Sequence, residues 1–223
     1  MLATLRTRLL VMCATVGLAV DDACKALLDG DAPRASAVID GDAAINSLEN
    51  EIDEMALSIL ARTQPVARDL RFVVSTLRMV LDLERIGDEA AGIAERAILM
   101  QGLQQPRIMD DVRALMETAR KLYADSVAAF REGDLELALA VSRGDDEAAQ
   151  MEVRIFQRLM QDPDARIDAH MAIHIILIAR ALNRIWRRAA NVAEHTYFIL
   201  EGVSIKHKKM DEIPREQEET QQR

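Results

Sequence analysis

The chain has 223 residues, half of them hydrophobic, and a formal net charge of -9. That length allows one or two domains with a sizeable buried core. Aromatic residues are only 3%, which favours helices packed on helices over strands rich in Tyr, Phe, Trp and Thr, and the acidic balance supports solubility while arguing against a nucleic-acid binder, which would carry a basic patch.

The first helix is predicted from about Thr4 to Leu28, stopping at Gly30-Asp31-Ala32-Pro33. Its apolar run from Leu9 to Val20 imitates a secretory leader. The run passes straight into Asp21-Asp22 at helical period, without a small-residue cleavage site, so it reads as part of the fold. No stretch of roughly 18 uncharged apolar residues occurs, and no membrane-spanning helix is predicted. Cys13 and Cys24 share one face of this helix but lie about 16 Å apart at the helical rise. They cannot pair and have no metal-ligand spacing, which leaves them as small buried apolar residues of a reducing compartment.

The second helix is predicted from about Pro33 to Arg62, with a kink at Gly41-Asp42 and apolar positions Ile45, Leu48, Ile52, Met55, Ala56 and Ile59. Thr63-Gln64-Pro65 breaks it. The third helix is expected to run from Pro65 to about Met100, with Pro65 in the first turn, where a missing N–H costs nothing.

On a wheel of about 100° per residue, the third helix sorts into three stripes. Val80, Leu83, Ile86, Ala90, Ile93 and Ala97 make a core face. Arg71, Arg78, Asp82, Arg85, Glu89 and Arg96 make a wet face. Glu84, Asp88 and Glu95 continue the apolar line of Leu70, Val73 and Leu77. Glu84 and Asp88 also stand at i, i+4, where like charges repel by a few tenths of a kcal/mol. Two anions on a half-buried seam call for a counter-charge: a hard cation held by oxygen ligands, or an Arg or Lys from a neighbouring helix. Gly87 faces near the core side, where its lack of a side chain permits close helix packing.

Gln101 to Arg107 is polar, contains Gly and Pro, and reads as a linker. A fourth helix is expected from about Asp110 to Arg131, a fifth from about Leu135 to Gln161, and a sixth from about Ala165 to Gly202. Glu132-Gly133-Asp134 and Asp162-Pro163-Asp164 separate them. The tail from Ser204 is charged, lacks an apolar face and reads as flexible.

This pattern of three helices occurs twice. Gly41-Asp42, Leu48-Glu49 and Ile52 match Gly144-Asp145, Met151-Glu152 and Ile155. Leu83-Glu84-Arg85-Ile86 matches Leu182-Asn183-Arg184-Ile185, and the run from Ala90 to Glu95 matches the run from Ala189 to Glu194. The expected organisation is all-α: a first three-helix bundle over 1–101, a second over 107–202, and a flexible charged tail over 203–223.

Arg68-Asp69-Leu70-Arg71, followed by the run from Asp82 to Asp88 and by Ile93-Ala94-Glu95, resembles the PhoU family of phosphate-signalling regulators, and the resemblance extends through both halves. It implies two three-helix bundles packed side by side and a non-catalytic, cytoplasmic protein. Its implied partners are the ATPase subunit of the phosphate transporter (PstB-like) and the phosphate-sensing histidine kinase (PhoR-like). The implied role is to keep the phosphate-starvation response off when phosphate is plentiful. Homodimerisation is left open. It also implies metal, as iron, zinc or another divalent ion, at a Glu/Asp-x-x-x-Asp motif in each bundle. Here that motif is intact only as Glu84 and Asp88. Asn183 and Arg187 stand at the equivalent positions, and the fixed positive charge of Arg187 speaks against metal at the second site. Arg187 could instead pair with a neighbouring Glu, or hold a carboxylate or phosphate.

Other constellations carry less. His170 and His174 are at i, i+4, a spacing that suits a transition metal, but no third ligand is evident, and exposed or helix-capping histidines are the simpler expectation. A ferritin-like di-metal enzyme would need Glu-x-x-His, and no Glu or Asp stands three residues before any histidine. The methionines fall mostly at core spacing. The row Arg71, Arg78, Arg85 is either a solvated face or a dock for an acidic partner.

Overall fold

The computed structural model describes residues 1–103, 106–161 and 167–205. It is all-helical there, with no strand among the described residues: α1 Leu2–Asp29, α2 Ala32–Thr63, α3 Ala67–Leu99, α4 Met109–Glu132, α5 Leu135–Arg143, α6 Asp145–Gln161 and α7 Ala169–Glu201. The stops are local. Gly30, Gly133 and Gly202 take positive φ of 66°, 69° and 76° at helix C-termini, and each N–H closes onto a carbonyl of the preceding turn. Asp31 and Asp134 cap the next helices by accepting from the backbone N–H of Arg34 and Leu137, both at 3.0 Å.

α1, α2 and α3 pack on one another as one bundle. α4, α7 and the α5–α6 pair form the second. α3 packs against α7, its equivalent in the repeat, and α1 against α4. One buried cluster runs through both halves, from Leu5 and Leu9 to Trp186 and Ile199. The expected core face of α3 (Val80, Leu83, Ile86, Ala90, Ile93, Ala97) is buried throughout. By length and composition α1 is apolar enough to cross a membrane, but Leu5, Leu9, Met12, Cys13, Val16 and Val20 are buried in the bundles. Tyr123 on α4 donates to the Cys13 carbonyl at 2.7 Å, and Gly17 admits its ring, since a Cβ there would lie 3.2 Å from Tyr123 Cε1.

Several helix boundaries differ from expectation. Pro65 is not in the first turn: Val66 is the extended N-cap and α3 begins at Ala67. α2 runs through Gly41-Asp42 without interruption. The break falls instead in the second repeat, where the expected fifth helix is two helices parted at Gly144. There the chain folds against α4, and a Cβ on Gly144 would lie 3.3 Å from Leu122 Cδ1, whereas one on Gly41 would meet nothing. The last helix starts at Ala169 rather than near Ala165. Asp162-Pro163-Asp164 and the tail from 206 lie outside the described residues.

Candidate functional site

Glu84 and Asp88 sit on the face of α3 that meets α2. Glu84 is half-buried and Asp88 exposed. Gly87 lies between them on the α2 side, where a Cβ would stand 2.8 Å from Ile45 Cδ1 and 3.5 Å from Asp42 Oδ1. The missing side chain lets the two helices close at this point and brings the acidic edge of α2 up to the motif. That edge carries Asp42, Glu49 and Asp53, which the sequence reading had not assigned to the site. Asn46 Nδ2 donates to Asp42 Oδ2 at 3.0 Å. Asp42 Oδ1, Asn46 Oδ1 and Asp53 Oδ1 are buried without a hydrogen-bond partner.

Crowding shows in the protonation. Burial, then Asp88 and Glu49, hold the Glu84 carboxyl above the usual range, and Arg85 opposes this. Burial, then Asp53 and Asp88, raise Glu49. Asp88 is raised by burial, Asp42 and Glu89, against a hydrogen bond with Glu84 and the charge of Arg188. Asp53 is raised by burial. An all-oxygen donor set with unsatisfied lone pairs fits a hard cation in its chemistry. Among the described residues, however, no group of three His, Cys, Asp or Glu side chains is arranged to hold one.

The second repeat resolves the same crowding differently. Asn183, at the Glu84 position, donates through Nδ2 to Oε2 of Glu152, the residue at the Glu49 position. Arg180 Nε stands 3.9 Å from Glu152 Oε1. The amide of Asn183 replaces the carboxylate of Glu84, and Arg180, at the Leu81 position, adds a guanidinium that the first repeat lacks there. Asn183 Oδ1 is left buried and unpartnered, and Arg187 is exposed.

A third constellation was hidden by the wheel. Asp82, expected on the wet face, is buried between α3 and α7. Its Oδ1 accepts from Asn191 Nδ2 at 3.1 Å and Arg188 Nη1 at 3.4 Å, and His195 Nε2 is 3.8 Å from Oδ2. Burial pushes the Asp82 carboxyl up, and Asn191 and Arg188 pull it back. Glu89 accepts two bonds from Arg184, at 2.5 and 2.7 Å. Arg71 is half-buried, and its Nε donates to the Ile199 carbonyl at 3.4 Å. As the α3 number rises from 71 to 89, the α7 partner falls from 199 to 184, so the two helices run antiparallel. The available signal was in the repeat: Glu89 aligns with Arg188 and Asp82 with Ala181, a charge difference between halves on one face.

The remaining candidates separate. Cys13 and Cys24 are buried and free, with thiols raised to about 12 by burial. His170 is exposed, but His174 is 4% exposed rather than at the surface. Their Nε2 atoms lie 3.4 Å apart, and burial, His170 and Arg96 lower the His174 value.

A family model described as the PhoU domain matches twice, over residues 9–97 and 112–196. The chain is 37% identical over 211 residues to the phosphate-specific transport system accessory protein PhoU homolog of Pseudomonas aeruginosa, covering 92% of this chain and 86% of that one. It is 30% identical over 207 residues to PhoU homolog 1 of Thermotoga maritima, covering 92% and 89%. The fold superimposes on the crystal structure of PhoU from Pseudomonas aeruginosa with a TM-score of 0.85, 37% identity and coverage of 91% and 98%. With two matched repeats, their helices in the same order and the intact motif on α3, the chain belongs to the PhoU family.

Proposed function

We propose that this chain is an accessory regulator of phosphate-specific transport. It acts in the cytoplasm, without catalysis, as a negative regulator of the phosphate-starvation response. It couples the phosphate ABC transporter, through its ATPase subunit, to the sensor histidine kinase by protein–protein contacts. The observation that carries this reading is the double PhoU-domain match, together with relatives named as phosphate-specific transport accessory proteins over nine-tenths of the chain. The helical surface of both bundles supplies the docking area.

Glu84 and Asp88 are the residues that would hold iron, zinc or another divalent ion, with no third carboxyl arranged as a ligand among the described residues. Such an ion would supply the positive charge that these carboxyls lack. Metal analysis of the purified protein against Glu84→Ala/Asp88→Ala tests the site, and equal metal content in the two removes it. The Asn183–Glu152 bond, which closes the second motif without a cation, favours a second reading: a diverged helical adaptor with neither metal nor a phosphate-signalling role.

Alkaline phosphatase activity in phosphate-rich medium, with the gene deleted and then restored, separates the two. High activity that falls on restoration supports the repressor. Low activity throughout, in a strain without a second PhoU-type gene, leaves the adaptor.

A further inference from the structure

Beside the Asp82 cluster, between α3 and α7, lies a cleft of about 550 Å³, within the size range of small-molecule sites. Three arginines line it: Arg78 and Arg85 from α3, and Arg188 from α7. Arg78 and Arg85 are exposed, and Arg85 also lends its charge to Asp82, Glu84 and Glu49. Arg188 makes one long contact to Asp82, at 3.4 Å, while its Nε is buried with no partner at all. Asp82 and Glu194 are the carboxylates of the lining, so the cations outnumber them. Asp82 spends Oδ1 on Asn191 and Arg188, and Oδ2 has no hydrogen bond, only His195 Nε2 at 3.8 Å.

We infer that this cleft binds free inorganic hydrogen phosphate, its charged oxygens held by Arg78, Arg85 and Arg188 and its P–OH donated to Oδ2 of Asp82. The guanidinium fork matches tetrahedral oxyanions, and a half-satisfied arginine already fixed in the wall is preorganised for one. The carboxylate acts as the filter. Near neutral pH inorganic phosphate keeps an O–H to donate. Sulfate has none, and a phosphate monoester has lost its own above its second pKa of about 6. Either would set lone pairs against the lone pairs of Asp82, with no proton between them. This binding is a property of the purified chain, so its failure would leave the adaptor and repressor readings where they stand.

Isothermal titration calorimetry on the full chain tests it, with inorganic phosphate, sulfate and adenosine monophosphate as titrants. Phosphate is expected to saturate one site and to bind at least about tenfold more tightly than the other two, a factor set by roughly one hydrogen bond. Arg78→Gln and Arg85→Gln, both at exposed positions, each weaken phosphate about tenfold. Arg113→Gln, on α4 outside the cleft, leaves it unchanged. Asp82→Asn brings sulfate and phosphate to within about twofold; should that variant fail to fold, the anion ranking of the wild type and the two arginine variants carry the test. No saturable phosphate binding, equal binding of the three anions, tighter binding of the monophosphate, or indifference to both arginine substitutions overturns the inference.

Discussion

Asn183→Glu puts a second carboxylate where the first repeat has one and the second has an amide. It removes the bond from Asn183 Nδ2 to Glu152 Oε2, a charge-assisted contact worth about 1.5–3 kcal/mol. It also sets the new carboxylate face to face with that of Glu152, whose side chain is 14% exposed. At 4 Å and an effective dielectric constant of 20 that repulsion is about 4 kcal/mol. Arg180, 3.9 Å from Glu152, and outward rotation of the new side chain take back a large part. A net loss of about 2 kcal/mol at pH 7 is expected in urea unfolding. The sign with pH follows from the like-charge pair. Its folded-state pKa is raised, so its contribution is favourable below the unfolded value of about 4.3 and is lost as pH rises through the raised one. The penalty therefore shrinks between pH 7 and pH 5. In a Glu152→Gln background it shrinks at pH 7 as well. A variant as stable as the wild type, or a penalty identical in both backgrounds, refutes the view that Asn183 resolves the crowding of the second motif.

Other tests use the first repeat. Glu49, Asp53, Glu84 and Asp88 are all raised in the fold, so their contribution to stability grows as pH falls from about 7 toward 5, against the opposite contribution of the lowered His174. Glu84→Gln gains a few tenths of a kcal/mol over wild type at pH 7, and that gain shrinks toward pH 5; a gain that grows as pH falls contradicts the assignment. Cys13 and Cys24, with thiols near 12, should resist a disulfide reagent in the native protein and react at once in urea. Fast native labelling of either would place it outside the core. Gln64 caps α2 with a φ of 45°, so Gln64→Gly should raise stability by up to about 1 kcal/mol, read as a higher urea midpoint.

Much of this molecule was legible in its residues because helix period reports burial directly. Val80 to Ala97 on α3 is a core face by spacing alone, and Gly87 could be assigned to close packing before its neighbour Ile45 was known. The repeat was legible because equivalent helices need equivalent faces. What failed depended on a partner that a wheel does not contain. Gly41 and Gly144 are indistinguishable in sequence, yet only the second ends a helix, because Leu122 of α4 waits beside it. Asp82 looked solvated because a polar stripe facing water and a polar stripe facing Arg188 have the same period. Glu84 and Asp88 were found from their conflict with an apolar line. Asp42 and Glu49 were visible as repeat markers but not as their neighbours, since α2–α3 register is a tertiary fact.

The antiparallel seam of α3 and α7 also decides what this chain can exchange. Replace α7 by a second α3 in the same register and Asp82 meets Glu89 where it now meets Arg188. Replace α3 by a second α7 and Arg184 meets Arg188 in place of Glu89. Like therefore repels like, and only unlike halves mate. If two copies of this chain trade bundles, the traded product keeps one half of each kind at every junction, and a fragment carrying only the first half will find no match in its own reflection.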